Sequence, residues 1–312
     1  MLTRLVAGLS WLGRRGPAAL VVLMLVGMAL PPLGAILRPY VGEGVFALLV
    51  LAFMRIDPER LKATVRRPGT ALLSLGWTML AVPLCAYVGL TALGVDESAP
   101  DLYLSLMLQS VTMPMMATPS IVMMIGLDGT IALVGIVLAG LTMPVLAPAI
   151  LGVAGVPIEL EPTQLAILLA GTLAGSAALG LLVRRVVGAA RIQRNREAID
   201  GMNVMCMFVF AVAVMGDVIP SFLADPWYAA GLTLVAFAAN VGLMMVSWLV
   251  LRPAGGRTAL AMAVTASQRN MGLMLAVAGS ALPGTVWLYV ALGQFPIYLA
   301  PVVLKRVATY LK

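Results

Sequence analysis

The chain has 312 residues and a net charge of +7, with 62% hydrophobic and only 11% charged residues. A soluble domain carries about 25% charged residues, so this chain cannot cover itself with a polar surface, and a bilayer is its expected solvent. It has no histidine, and its two cysteines, Cys85 and Cys206, lie in apolar runs, which excludes histidine ligands and proton relays, Ser-His or Cys-His catalysis, and a disulfide framework.

The apolar runs approach or exceed the roughly 20 residues that cross about 30 Å of hydrocarbon as a helix. They are too long and continuous for barrel strands. In chain order, hydropathy predicts spans near 17–36, 41–55, 69–94, 101–126, 129–153, 163–184, 201–222, 227–251, 257–281 and 284–307. The basic front and apolar core of the first span resemble a signal peptide. It is read instead as a retained helix after a cytoplasmic N-terminus of residues 1–16, because ten spans account for the charge pattern.

That pattern is one-sided. Arg4, Arg14 and Arg15 precede the first span. Arg55, Arg60, Lys62, Arg66 and Arg67 follow the second, and Arg184, Arg185, Arg191, Arg194 and Arg196 follow the sixth. Arg252 and Arg257 follow the eighth, and Lys305, Arg306 and Lys312 close the chain. All of these fall on one side of a ten-span topology. The opposite loops hold Arg38 and the acids Asp96, Glu97, Asp101, Glu159, Glu161 and Asp225. Cytoplasmic loops collect Lys and Arg, so both termini are expected in the cytoplasm, and no nucleic-acid partner is needed to explain the charge. Trp77, Trp227, Tyr228 and Trp248 read as interfacial anchors. Glu43, Asp128 and Asp217 read as helix-end groups. Asp217 would suit proton coupling if it lay deep in its span.

Arg269 belongs to neither side. It stands in "TASQRNMGL", inside the ninth span. Charge at such a depth is costly and marks a functional candidate. The stretch from Ser110, "SVTMPMMATPSIVMMIGLDGT", parallels "AVTASQRNMG" onward from Ala263. Both open on Val-Thr and later turn at Gly-Thr. Five spans therefore follow five spans, residues 17–156 and 157–312. An odd number per half forces opposite orientations. The expected fold is all-α, with ten transmembrane helices in two inverted five-helix repeats and helices four and nine broken at matching positions, which is where secondary transporters bind their cargo. Pro114 and Pro119 are expected to break the fourth span, since each removes a backbone donor.

Further motifs carry a resemblance. They are "MRIDPERLKATVRRP" before the third span, Pro83 after Pro68, "MPMMATPS" followed by "LTMPVLAPAI" with Pro144, Pro148, Ala149 and Ile150, and "SQRNMGL". Together they are similar to the bile acid:sodium symporter family over nearly the whole chain. The resemblance implies a bacterial inner-membrane secondary transporter of an amphipathic organic anion, with helices four and nine crossing where they unwind and with panel and core bundles that interleave the two repeats. It also implies two sodium ions behind the crossing, but the positions that would hold them depart. Thr265 stands for the family's glutamate and Arg269 for its glutamine. Thr78 stands for the glutamine of helix three, and Pro119-Ser120 for a Ser-Asn pair. Asn270 is kept. A guanidinium 4 Å from a sodium ion would repel it by about 4 kcal/mol at an effective dielectric near 20. Sodium is therefore not expected to bind, and no cofactor is expected.

Two roles remain open for Arg269. Its fork could hold a substrate carboxylate or sulfonate, or it could donate to the free carbonyls of the unwound helices. Arg269, Asn270, Gln268, Ser267, Thr112, Thr118 and Ser120 are the candidate substrate-binding residues. Met113, Met115, Met116 and Met271 suggest a pliable apolar wall. A non-transporting receptor or scaffold of the same fold is the alternative, as is a proton-coupled carrier. An enzyme is not expected, for want of a catalytic pair. The sequence leaves oligomeric state open.

Overall fold

Pro31 and Pro32 occupy the first turn of helix α1, Pro31–Arg55. Proline suits that position because its missing N–H has no helical acceptor there. In this computed structural model, which describes residues 7–12, 22, 25–56 and 68–310, the chain is helical at 25–29 and breaks at Leu30. Gly27 and Gly34, on either side of that break, both lie against Val212. The predicted turn near 37–40 is instead a single tight turn inside α1, Arg38–Tyr40. The second predicted span is therefore not short; its helix has 25 residues. Residues 1–6, much of the first predicted span and most of the "MRIDPERLKATVRRP" loop lie outside the described residues.

Eight of the further helices matter here. They are α2 Gly69–Ala92, α3 Pro100–Val111, α4 Thr118–Met124, α5 Gly129–Val153, α6 Pro162–Val187, α7 Arg196–Met215, α8 Pro226–Leu251 and α9 Gly256–Ser267. Two more, α10 Met271–Ala278 and α11 Gly284–Tyr310, complete the chain. Six helical stretches are long and apolar enough to cross a membrane, and Met271–Ala281 and Gly284–Ala300 are shorter apolar ones. Among the described residues the regular structure is helical, and the isolated bridge Pro114–Arg269 is extended pairing. Leu93, Leu141, Val153, Ile167 and Leu234 are all at least 70% exposed. A surface that apolar suits hydrocarbon, not water. This is an all-α, multi-pass membrane protein.

The chain divides into two compact units, each drawn from both halves of the sequence. One comprises residues 1–56, 170–230 and 275–277, and the other 57–169, 231–274 and 278–312. In the first, α1 packs on α7 through small residues. Gly34 abuts the backbone of Val212 and Gly216. A Cβ at Gly180 of α6 would stand 2.8 Å from the Val50 carbonyl oxygen and 3.0 Å from the Met54 nitrogen. Glycine is what lets these backbones approach. Arg184 donates to the Met54 carbonyl at 3.3 Å, satisfying one orphan acceptor at the end of α1. Arg55 pairs with Asp200 at 2.7 Å.

Asp217 lies between α7 and the short helix Val218–Ala224, and its exposed carboxylate pairs with Arg38 at 2.9 Å. Asp128 caps α5 by accepting from the Thr130 N–H at 2.9 Å. Asp217 and Asp128 are helix-end groups, whereas Glu43 lies inside α1, just after its tight turn. Trp227 is 87% exposed at the start of α8, as an anchor would be. Trp77 is different. It sits inside α2 and donates to the Ser247 hydroxyl at 2.8 Å. Trp248 packs against Leu251 and Met262, with the Arg252 guanidinium 4.9 Å above its ring.

In the second unit, α4, α5 and α9 share a core of Val122, Ile125, Ala132, Leu260, Ala261 and Val264. That core holds two helix interruptions in fixed register.

Candidate functional site: a guanidinium in a carbonyl cradle

The first interruption follows α3. Pro114 has no N–H and disfavours helix for the residue before it. Thr112 is already extended, at φ −74° and ψ 142°. Residues 112–117 therefore leave helical pairing, and α4 begins at Thr118 with Pro119 in its first turn. Pro119, expected to break the span, instead opens its second half.

The second interruption has no proline. The side chains of Thr265 and Ser267 donate back to Ala261 and Val264 in their own helix, at 2.7 and 3.2 Å, a competition that weakens a helical ladder. Gln268 turns the chain at φ −83° and ψ 83°, with the Arg269 N–H on the Ser267 carbonyl, an inverse γ-turn. The two interruptions then satisfy each other. The Met115 N–H donates to the Gln268 carbonyl at 2.8 Å, and the Asn270 N–H donates to the Met113 carbonyl at 2.9 Å. Measured from the shared Val-Thr, the breaks do not coincide. The first starts at Thr112 itself, whereas the second starts three residues beyond Thr265.

Arg269 lies at this pairing and is 1% exposed. Its Nη1 donates to the Thr112 carbonyl at 2.8 Å and to the Thr78 carbonyl at 3.1 Å, and its Nη2 also reaches Thr78 at 3.1 Å. Both carbonyls need an outside donor, for local reasons. Thr112 ends α3. Thr78 lies in a π turn, Trp77–Ala81, in which the Val82 N–H is spent on Trp77. The next N–H would belong to residue 83, which is proline and has none. Arg269 thus fills acceptor sites of two helices, α2 and α3. No described acid forms an ion pair with it.

The other candidates are distributed as follows. Thr112 acts through its carbonyl, while its hydroxyl donates to Leu108 at 2.6 Å. The Ser267 carbonyl accepts from Asn240 at 3.0 Å. Gln268 is fully buried with neither amide atom partnered, and the Thr118 and Ser74 hydroxyls are also buried without partners. Ser74 and Thr265 both face Gly135. The Asn270 side chain is half-buried, and Ser120 is exposed, away from Arg269's burial. Met113 is buried, its N–H on the Met143 sulfur at 3.4 Å.

Sequence reading did not find the pocket beside the guanidinium. Gln109 of α3, Asn240 of α8, Met271 of α10, and Tyr289 and Gln294 of α11 line it together with Arg269. It is a small cavity of about 10 Å³, room for about one water-sized sphere. The signal was three single carboxamides, each inside an apolar run. Among known proteins, no family model matches this chain, and no curated protein is significantly similar to it.

Proposed function

We propose that this chain is a secondary transporter of an organic anion, built on the ten-helix inverted repeat of the bile acid:sodium symporters, with a resident guanidinium where those carriers bind sodium. The supporting observation is the cradle itself. Arg269 donates to the carbonyls of Thr78 and Thr112, beside Thr265, Gln268 and Asn270. Backbone carbonyls freed by helix breaks are the usual ligands of a coupling cation in carriers. Here a side chain supplies the positive charge, and a sodium ion in the same place would meet repulsion of about 4 kcal/mol at 4 Å. Both terminal nitrogens are engaged with backbone, which favours the scaffolding role for Arg269 over direct capture of substrate.

On this reading the protein lies in a bacterial inner membrane with both termini in the cytoplasm, and it requires no sodium. The exposed Asp217–Arg38 pair offers no buried proton carrier. Uptake of a panel of radiolabelled carboxylates and sulfonates into proteoliposomes is the test, run in sodium and in choline. Saturable uptake equal in both is expected. A steep sodium requirement would remove the resident-cation mechanism, and saturable binding without uptake would make the protein a receptor of the same architecture.

A further inference from the structure

Arg269 carries a charge that the cradle does not balance. Carbonyls satisfy its hydrogens, but they are neutral, and a buried ion without a counter-charge is costly. One guanidinium nitrogen, Nε, has no partner at all, and Arg269 forms part of the pocket wall.

The rest of that wall offers hydrogens. An amide nitrogen carries two. Asn240 spends one on the Ser267 carbonyl at 3.0 Å, and Gln294 spends one on the Val290 carbonyl at 3.1 Å. The Gln109 oxygen accepts from the Tyr289 hydroxyl, which leaves that amide's nitrogen unspent. The lining includes no carboxylate, and Met271 contributes an apolar side. A water molecule could use these donors but would leave the charge as it stands. An anion would use them and balance it, in surroundings where attraction is far stronger than in water.

We propose that this pocket binds one small monovalent anion, of the kind shared by chloride and by the carboxylate head of a short organic acid, as the counter-ion of Arg269. The site lies within one compact unit and does not depend on the carrier reading. Four donors, from the three helices α3, α8 and α11 and from the α9–α10 break, would converge on one ion. Binding would therefore tie these helices together.

The test is thermal unfolding of the full chain in detergent, with choline as the fixed cation and gluconate as the reference anion. Chloride and acetate are titrated separately at constant ionic strength. A saturable, single-site rise in unfolding temperature is expected with at least one of them, and which one responds identifies the source of the chemistry. Gln294→Leu removes one donor whose other bond lies within its own helical turn. It should weaken the apparent affinity about tenfold, as the loss of a hydrogen bond to a charged group does, while leaving the unfolding temperature in gluconate near the parent's. Arg269→Gln should abolish the anion response, and if that variant does not fold, Gln294→Leu carries the test. A bromide-soaked crystal should give an anomalous peak beside Nε of Arg269. No saturable response to either anion, an unchanged midpoint in Gln294→Leu, or a bromide peak elsewhere with none at Nε would each overturn the proposal.

Discussion

Replacing Arg269 by methionine should expose how the cradle works, but one variant cannot settle it. Two opposing effects are involved. The Thr78 and Thr112 carbonyls each lose their donor, which costs about 1–3 kcal/mol apiece when a buried acceptor is left unpaired. Removing a buried charge returns several kcal/mol of desolvation. The net sign of Arg269→Met alone is thus undetermined. A second change isolates the carbonyl. Pro83→Ala restores an N–H five residues beyond Thr78, in the register that the π turn already uses for Trp77 and Val82. In that background Thr78 keeps a donor when Arg269 is lost, and only Thr112 is orphaned. Desolvation relief is the same in both backgrounds and cancels. Arg269→Met should therefore be less destabilising with Pro83→Ala than without it, by about 1–3 kcal/mol. Unfolding entropy near 2.1 cal/mol/K per residue makes that about 2–5 °C for a chain of 312 residues. Tryptophan fluorescence against temperature in detergent, on all four proteins, gives the coupling. Additive changes within about 0.5 kcal/mol would show that the Thr78 carbonyl does not depend on Arg269.

Three further outcomes are expected. Thr265→Glu with Arg269→Gln rebuilds an acidic cation site beside the crossing, so sodium should raise the unfolding temperature of the double variant over choline and leave the parent unmoved; equal shifts in both would end the resident-cation idea. Gly180→Ala places a methyl 2.8 Å from the Val50 carbonyl oxygen, and overpacking of this kind costs about 1–3 kcal/mol, readable as a lower midpoint in the same assay, whereas Gly171→Ala meets open space and should be neutral or slightly stabilising. A fluorescent protein fused after Lys312 should glow in bacterial cells and alkaline phosphatase at the same point should stay inactive; the reverse pattern would place the C-terminus outside.

Hydropathy was enough to find the helices, because a 20-residue apolar run allows few alternatives in lipid. It misplaced the first described turn, since it weighed Arg38 as a loop residue and ignored the Pro31-Pro32 pair that opens α1. The break at Pro114 was legible because proline removes a donor wherever it stands. The break in the ninth span was also expected, from its polar run and its parallel with the fourth, but no proline fixes its place. Its register rests on Met115 and Met113, which present a donor and an acceptor to it, information held some 150 residues away. Thr78 was picked out as a side-chain position, yet what it contributes is a carbonyl, freed by Pro83 and a π turn that no hydropathy window detects. Asn240 and Gln294 were visible as letters, but a lone carboxamide in an apolar run says nothing of what it faces until α8 and α11 are set beside α3.

A dissociable ion at a helix crossing lets a carrier draw on a reservoir, because filling and emptying the site converts a concentration difference into motion. The guanidinium of Arg269 never leaves its chain. Its local concentration at the Thr78 and Thr112 carbonyls is set by a tether and is the same whichever side of a membrane is salt-rich. No cation gradient can perform work through such a site, since no cation enters it on one face and exits on the other. A carrier organised around it would let its cargo run downhill or trade one cargo molecule for another, and would need no coupling cation to complete its cycle.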